Sequence, residues 1–77
     1  MEARDLVRLS AARAASRSGD ARRLRVAAGL TQAEVAEVCG VTQGAVSHWE
    51  AGTRVPRGTA ARRYARLLET LRRGVAA

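Results

Sequence analysis

Lysine and phenylalanine are absent from this 77-residue chain, and cysteine, histidine, proline, tryptophan and tyrosine each occur once. A single cysteine, Cys39, excludes an internal disulfide and any multi-thiolate metal centre. It falls beside Val35 on an apolar face, so it reads as a small core hydrophobe rather than a reactive thiol. Aromatic residues make up only 3% of the chain and β-branched runs are missing, which leaves little from which strands are made. Ala, Arg and Leu dominate instead, and these favour helices, so an all-α fold is expected. No apolar run approaches the roughly 18 residues needed to span a bilayer. The N-terminus carries Glu2, Arg4 and Asp5 but no apolar signal core. A cytoplasmic location without a membrane partner is therefore expected. The sequence offers no Ser/His/Asp grouping, no nucleotide-binding loop and no paired carboxylates on one face, so an enzyme is not expected. Nothing calls for a cofactor, a metal or a small-molecule ligand.

What is present is arginine. All 14 basic residues are Arg, the formal net charge is +7, and the guanidinium fork suits phosphates and guanine edges. Residues 54–77 hold seven Arg against one acid, whereas residues 21–53 balance three against three. A codon bias alone would spread the excess more evenly, and the observed distribution favours a polyanionic partner. The length fits one small domain spanning 1–77. A domain of this size needs closely packed helices or a partner for stability. A homodimer is possible, and a monomer fits as well.

Residues 31–52 carry the most information, because they read as two short helices joined by a Gly-centred turn. Val35, Ala36 and Cys39 share one helical face, as do Val46 and Trp49 after the turn. Thr31 with Glu34 three residues later is a capping-box pattern that starts the first helix at Gln32. Gly40 stops that helix, Val41 points inward, and Thr42 caps the second. Ala36 is small enough for the two helices to cross closely.

Elsewhere, residues 2–17 form an Ala- and Arg-rich helix with Leu6, Val7 and Leu9 near its start. Ser16, Ser18, Gly19 and Asp20 break it, and Asp20 is placed to cap a helix over Ala21–Ala28 that ends at Gly29. Pro56 makes residues 53–58 a loop. A last helix spans 59–73, with Tyr64, Leu67, Leu68 and Leu71 as its inward stripe and Arg62, Arg63, Arg66, Arg72 and Arg73 largely off it.

Taken together, Leu24-Arg25, Gly29 to Ala36, Gly40-Val41-Thr42-Gln43, Val46-Ser47, Trp49-Glu50, Gly52 and Pro56 resemble the Cro/C1-type (XRE-like) helix-turn-helix repressors of phages and bacteria. The resemblance covers residues 21 to about 57. It implies a lambda-repressor-like DNA-binding domain, a compact bundle of about five helices, here with an added N-terminal helix over 1–17. That helix either packs on the core in place of the family's fifth helix, or is mobile or meets DNA or a partner. The resemblance further implies that the helix over 42–51 lies in the major groove of double-stranded DNA. Gln43, Gly44, Ala45, Ser47 and His48 then face base edges. Gln32, Thr42, Arg54 and Arg57 face the sugar-phosphate backbone, with Gln32 also bracing Gln43. Arg25 and Glu50 correspond to the family's structural ion pair.

Gly44 and Ala45 offer no side-chain donors where relatives place polar residues. The Gly44 backbone either approaches the duplex closely or is a tolerated change, and His48 is either a base contact or a spectator. The function implied is a sequence-specific transcriptional regulator of the Cro/repressor kind. An autoregulatory antitoxin-type protein that also holds a partner protein, and a restriction-modification controller, are the alternatives.

Overall fold

A computed structural model describes residues 1–74 of the chain. Among them are five α-helices, α1 (Ala3–Ser18), α2 (Asp20–Ala27), α3 (Gln32–Cys39), α4 (Gln43–Ala51) and α5 (Gly58–Arg72), and no strand. None of these helices is long and apolar enough to cross a membrane. Small residues let them approach closely. Ala12 and Ala15 of α1, Ala21 of α2, Ala36 of α3 and Ala65 of α5 all lie in one buried cluster with Val35, Cys39, Val46, Trp49, Tyr64 and Leu68. Trp49 and Tyr64 form its aromatic centre, with ring centroids 4.7 Å apart and planes tilted by 41°. Burial pushes the Cys39 thiol up to about 11, outweighing the nearby charge of Arg63, so it stays protonated inside the core.

The Tyr64 hydroxyl is buried and has no hydrogen-bond partner among the described residues. A buried hydroxyl without a partner costs about 1–3 kcal/mol. Tyr64→Phe is therefore expected to keep or raise the melting temperature, and a marked drop in a thermal melt would reveal a partner for the hydroxyl.

Helix α1 packs on α5, α2 and α4. Of the two placements open to it, the structure therefore gives the core. Its buried face is Leu9, Ala12, Ala15 and Ser16, while Leu6 and Val7 are exposed. In an alanine-rich helix the partners, not the bulkiest residues, decide which face is covered. Arg8 adds an ion pair to Glu69 of α5, 3.0 Å between Nε and Oε2.

Asp20 does not cap α2 as the sequence suggests. It is the first helical residue, after Gly19 turns the chain at φ 87°. Its carboxylate is drawn away to Arg72 at the end of α5, 2.7 Å from Nη2. The inward stripe of α5 is Ala61, Tyr64, Ala65 and Leu68, with Leu67 and Leu71 only partly buried at its edges. Helix α5 begins at Gly58, one residue before Thr59, and α2 ends at Ala27 rather than Ala28.

Candidate nucleic-acid interface

The start of α3 is fixed by reciprocal hydrogen bonds. The Glu34 N–H donates to Thr31 Oγ1 at 3.0 Å, and the Thr31 N–H donates to Glu34 Oε1 at 2.9 Å. Gly40 ends the helix at φ 73°, and a Cβ there would stand 2.7 Å from Nη1 of Arg63. The left-handed backbone favours glycine at this corner, whereas the Arg63 guanidinium is the end of a flexible side chain that could move aside. Val41 then packs on the core, and Thr42 Oγ1 accepts from the Ala45 N–H at 3.2 Å to open α4.

Val46 and Trp49 anchor the inner face of α4, and the helical period sends other residues outward. Gln43, Gly44, Ser47 and His48 are exposed. Ala45 is turned partly inward and touches the core. A Cβ built at Gly44 would meet only Thr42 Oγ1, at an ordinary 3.7 Å. Nothing within the protein therefore requires glycine at this position.

Behind α4, Glu50 forms the hub of a buried polar network. Its Oε2 lies 2.6 Å from Arg25 Nε, and its Oε1 accepts from Arg25 Nη2 at 2.9 Å and from Gln32 Nε2 at 3.0 Å. Arg25 Nη1 also donates to the Leu30 carbonyl at 2.9 Å. The paired side chains are only 13% and 4% exposed, so this forked pair ties α2, the following turn, α3 and α4 together away from bulk water. The amide nitrogen of Gln32 donates one of its two hydrogens to Glu50, and none to Gln43 among the described residues. A carboxylate inside the network is the stronger acceptor.

Burial alone would raise the Glu50 pKa. The hydrogen bonds from Arg25 and Gln32 and the charges of Arg25 and Arg22 outweigh it, and the pKa falls below its ordinary 4.5. The hydrogen bond to Glu50 chiefly raises Arg25 in turn. Glu34 is also lowered, first by the Thr31 backbone N–H and then by the Thr31 hydroxyl. Carboxyls depressed by folding contribute stability that is fully present above their unfolded value. That stability is lost as pH falls through the folded values. The urea midpoint should thus hold above about pH 5 and fall progressively toward pH 2. A flat midpoint across that window would contradict the network.

Arg54 and Arg57 are exposed in the loop after α4, on either side of buried Pro56. The loop is held from an unexpected direction, because Arg13 of α1 donates from Nε to the Pro56 carbonyl at 3.1 Å. Sequence reasoning missed Arg13, since an arginine in a helix carries no spacing signal toward a loop 43 residues away. Thr53 was missed too; its hydroxyl lies 2.8 Å from His48 Nδ1.

The arginine excess divides by location. Arg72 is paired with Asp20 and Arg73 with Glu69, whereas Arg54, Arg57, Arg62, Arg63 and Arg66 make no ion pair among the described residues. The free charge therefore lies in the loop and on the first half of α5.

A family model described as helix-turn-helix matches residues 22–72. The chain belongs to the Cro/C1-type helix-turn-helix family. No curated protein and no solved structure matches it. As a helix-turn-helix protein, it uses α3 and α4 as the two motif helices and is a DNA-binding regulator. The match runs past residue 57 to the end of α5 and leaves α1 outside.

Proposed function

We propose that this chain is a sequence-specific transcriptional regulator of the repressor kind, which inserts α4 into the major groove of double-stranded DNA. The observation that carries the reading is the division of α4. Val46 and Trp49 are locked into the core, while Gln43, Gly44, Ser47 and His48 are exposed on the opposite side, followed in the chain by the unpaired Arg54 and Arg57.

Gln43 is assigned the main base contact, because a glutamine amide pairs bidentately with adenine. Ser47 and His48 supply further polar contacts, and Ala45, half-turned inward, is left with a thymine methyl at most. Arg54 and Arg57 hold phosphates, which gives affinity without sequence choice. Thr42 and Gln32 lie at the two helix starts, where free N–H groups favour an anion. Gln32 contributes through its backbone N–H and the second hydrogen of its amide, the first being donated to Glu50. Through Arg13, α1 belongs to the same DNA-binding unit, because it steadies the loop between the two phosphate-binding arginines.

Gly44 gives this reading a sharp check. Since a Cβ fits there, Gly44→Ala should stabilise the fold by about 0.4–1 kcal/mol. If the backbone approaches the duplex closely, the same variant binds DNA more weakly. Parallel thermal melts and binding titrations would separate the two effects, and unchanged binding would remove the close approach.

Footprinting on the DNA flanking the protein's own gene tests the function as a whole. A discrete protected site is expected, with major-groove positions shielded. Absence of protection even at low salt would overturn the proposal.

A further inference from the structure

Arg63 stands on the second turn of α5, and its side chain reaches the corner between α3 and α4. Its Nη1 lies 2.7 Å from where a Cβ on Gly40 would be, and its charge is felt by the Cys39 thiol. The residue is exposed, and no ion pair takes up its guanidinium among the described residues. The end of α3 is closed without it, because the Gly40 and Val41 N–H groups donate to the Glu37 and Ala36 carbonyls. The other end of α4 carries charge of its own. There the Thr53 and Arg54 N–H groups donate to the His48 carbonyl at 3.0 and 3.4 Å, which folds the loop back on the last turn and sets Arg54 beside it. Helix α4 thus runs between Arg63 before its first turn and Arg54 with Arg57 after its last. Its 9 residues rise about 13.5 Å at 1.5 Å each, close to the roughly 12 Å width of the major groove.

We propose that Arg63 is a further DNA-backbone contact, which holds a phosphate at the start of α4, across the major groove from those held by Arg54 and Arg57. This rests on the proposed insertion of α4 into that groove. A helix lying there has a sugar-phosphate strand on either side, and cations at one end alone would tether it to one strand only. With Arg63 at the corner both edges are held, so Gln43 is fixed across the groove as well as along it. The guanidinium is suited to this, because its fork can grip two oxygens of one phosphate. Thr42 works at the same end. Its Oγ1 accepts from the Ala45 N–H, which leaves the hydroxyl hydrogen to donate to the backbone of the DNA.

The test has two readouts, both on a duplex selected from a randomised pool. Methylphosphonate substitution removes the charge of one phosphate at a time, and it should weaken wild-type binding at positions on both edges of the groove. Arg63→Ala should become indifferent to substitution on one edge and keep the loss on the other. The double variant Arg54→Ala with Arg57→Ala should show the opposite pattern. Arg63→Ala should also make the slope of log affinity against log salt shallower by about 0.9, which is about an 8-fold loss of affinity at 0.1 M salt. Arg63→Lys keeps the charge and should keep the slope. An unchanged slope in Arg63→Ala, or indifference at the same phosphates that Arg54 and Arg57 serve, would overturn the proposal. A wild-type protein that selects no sequence from the pool and is indifferent to every phosphate would instead overturn the insertion of α4 on which it rests.

Discussion

Glu50→Ala is expected to unfold at a much lower temperature than the parent. The substitution strips the acceptor from Arg25 and Gln32 at once, and removing one partner of a buried ion pair costs about 3–5 kcal/mol. A chain of this length has a total stability of roughly 4–12 kcal/mol, so the loss is a large share of it. For a domain of this size it corresponds to a drop of more than about 12 °C in melting temperature. Most of the damage comes from leaving the guanidinium buried and unpaired. The double variant Arg25→Met with Glu50→Leu should therefore recover much of the stability, since a packed apolar pair replaces a buried ion pair at little cost. Circular-dichroism melts of the three proteins decide the matter. A Glu50→Ala protein that melts like the parent would mean that the pair is solvated.

The second large effect is on affinity. Replacing Arg54 and Arg57 together by alanine removes two phosphate contacts, each contributing about 0.9 to the slope of log affinity against log salt. The slope should become shallower by about 1.8, and at 0.1 M salt the affinity should fall about 60-fold. The ranking of DNA sequences should stay the same, because phosphate contacts position the protein without reading bases. This outcome is the reverse of that expected for Glu50→Ala, which acts on the fold. Fluorescence anisotropy over a series of salt concentrations measures both quantities. An unchanged slope would place the two arginines outside the interface.

Much of the central fold is legible in the sequence because its causes are local. Thr31 and Glu34 form a capping box within four residues, and Gly40 and Thr42 punctuate the corner by backbone and side-chain rules that need no distant partner. The outward placement of Gln43, Ser47 and His48 follows from the helical period once Val46 and Trp49 are taken as core. The family resemblance supplied the pairing of Arg25 with Glu50, which lie 25 residues apart.

The rest depends on how the helices meet. Nothing in the spacing of Leu6, Val7 and Leu9 says that the neighbouring alanines make the buried face of α1. Asp20 satisfies every local rule for a cap, yet the arginine brought near by α5 captures its carboxylate. Gln32 could have donated to Gln43, to a phosphate or to Glu50, and only the packed geometry brings the carboxylate within 3.0 Å. Arg13 and Thr53 act on a loop whose path the sequence does not define. The arginine excess at the C-terminal end likewise overstated the free charge, since Arg72 and Arg73 are paired within the protein.

Reading of the major groove by α4 through Gln43 is tested most directly by an atom-level substitution in the DNA. Replacing adenine by 7-deazaadenine at each position of the selected duplex removes the N7 acceptor from the major groove and leaves Watson–Crick pairing and the minor groove intact. At one adenine the substitution should weaken wild-type binding by as much as about 1–3 kcal/mol, the discrimination of a bidentate contact. The same substitution should cost the Gln43→Ala variant nothing further. Wild-type affinity that is indifferent to 7-deazaadenine at every position, or a penalty that persists in Gln43→Ala, would contradict it.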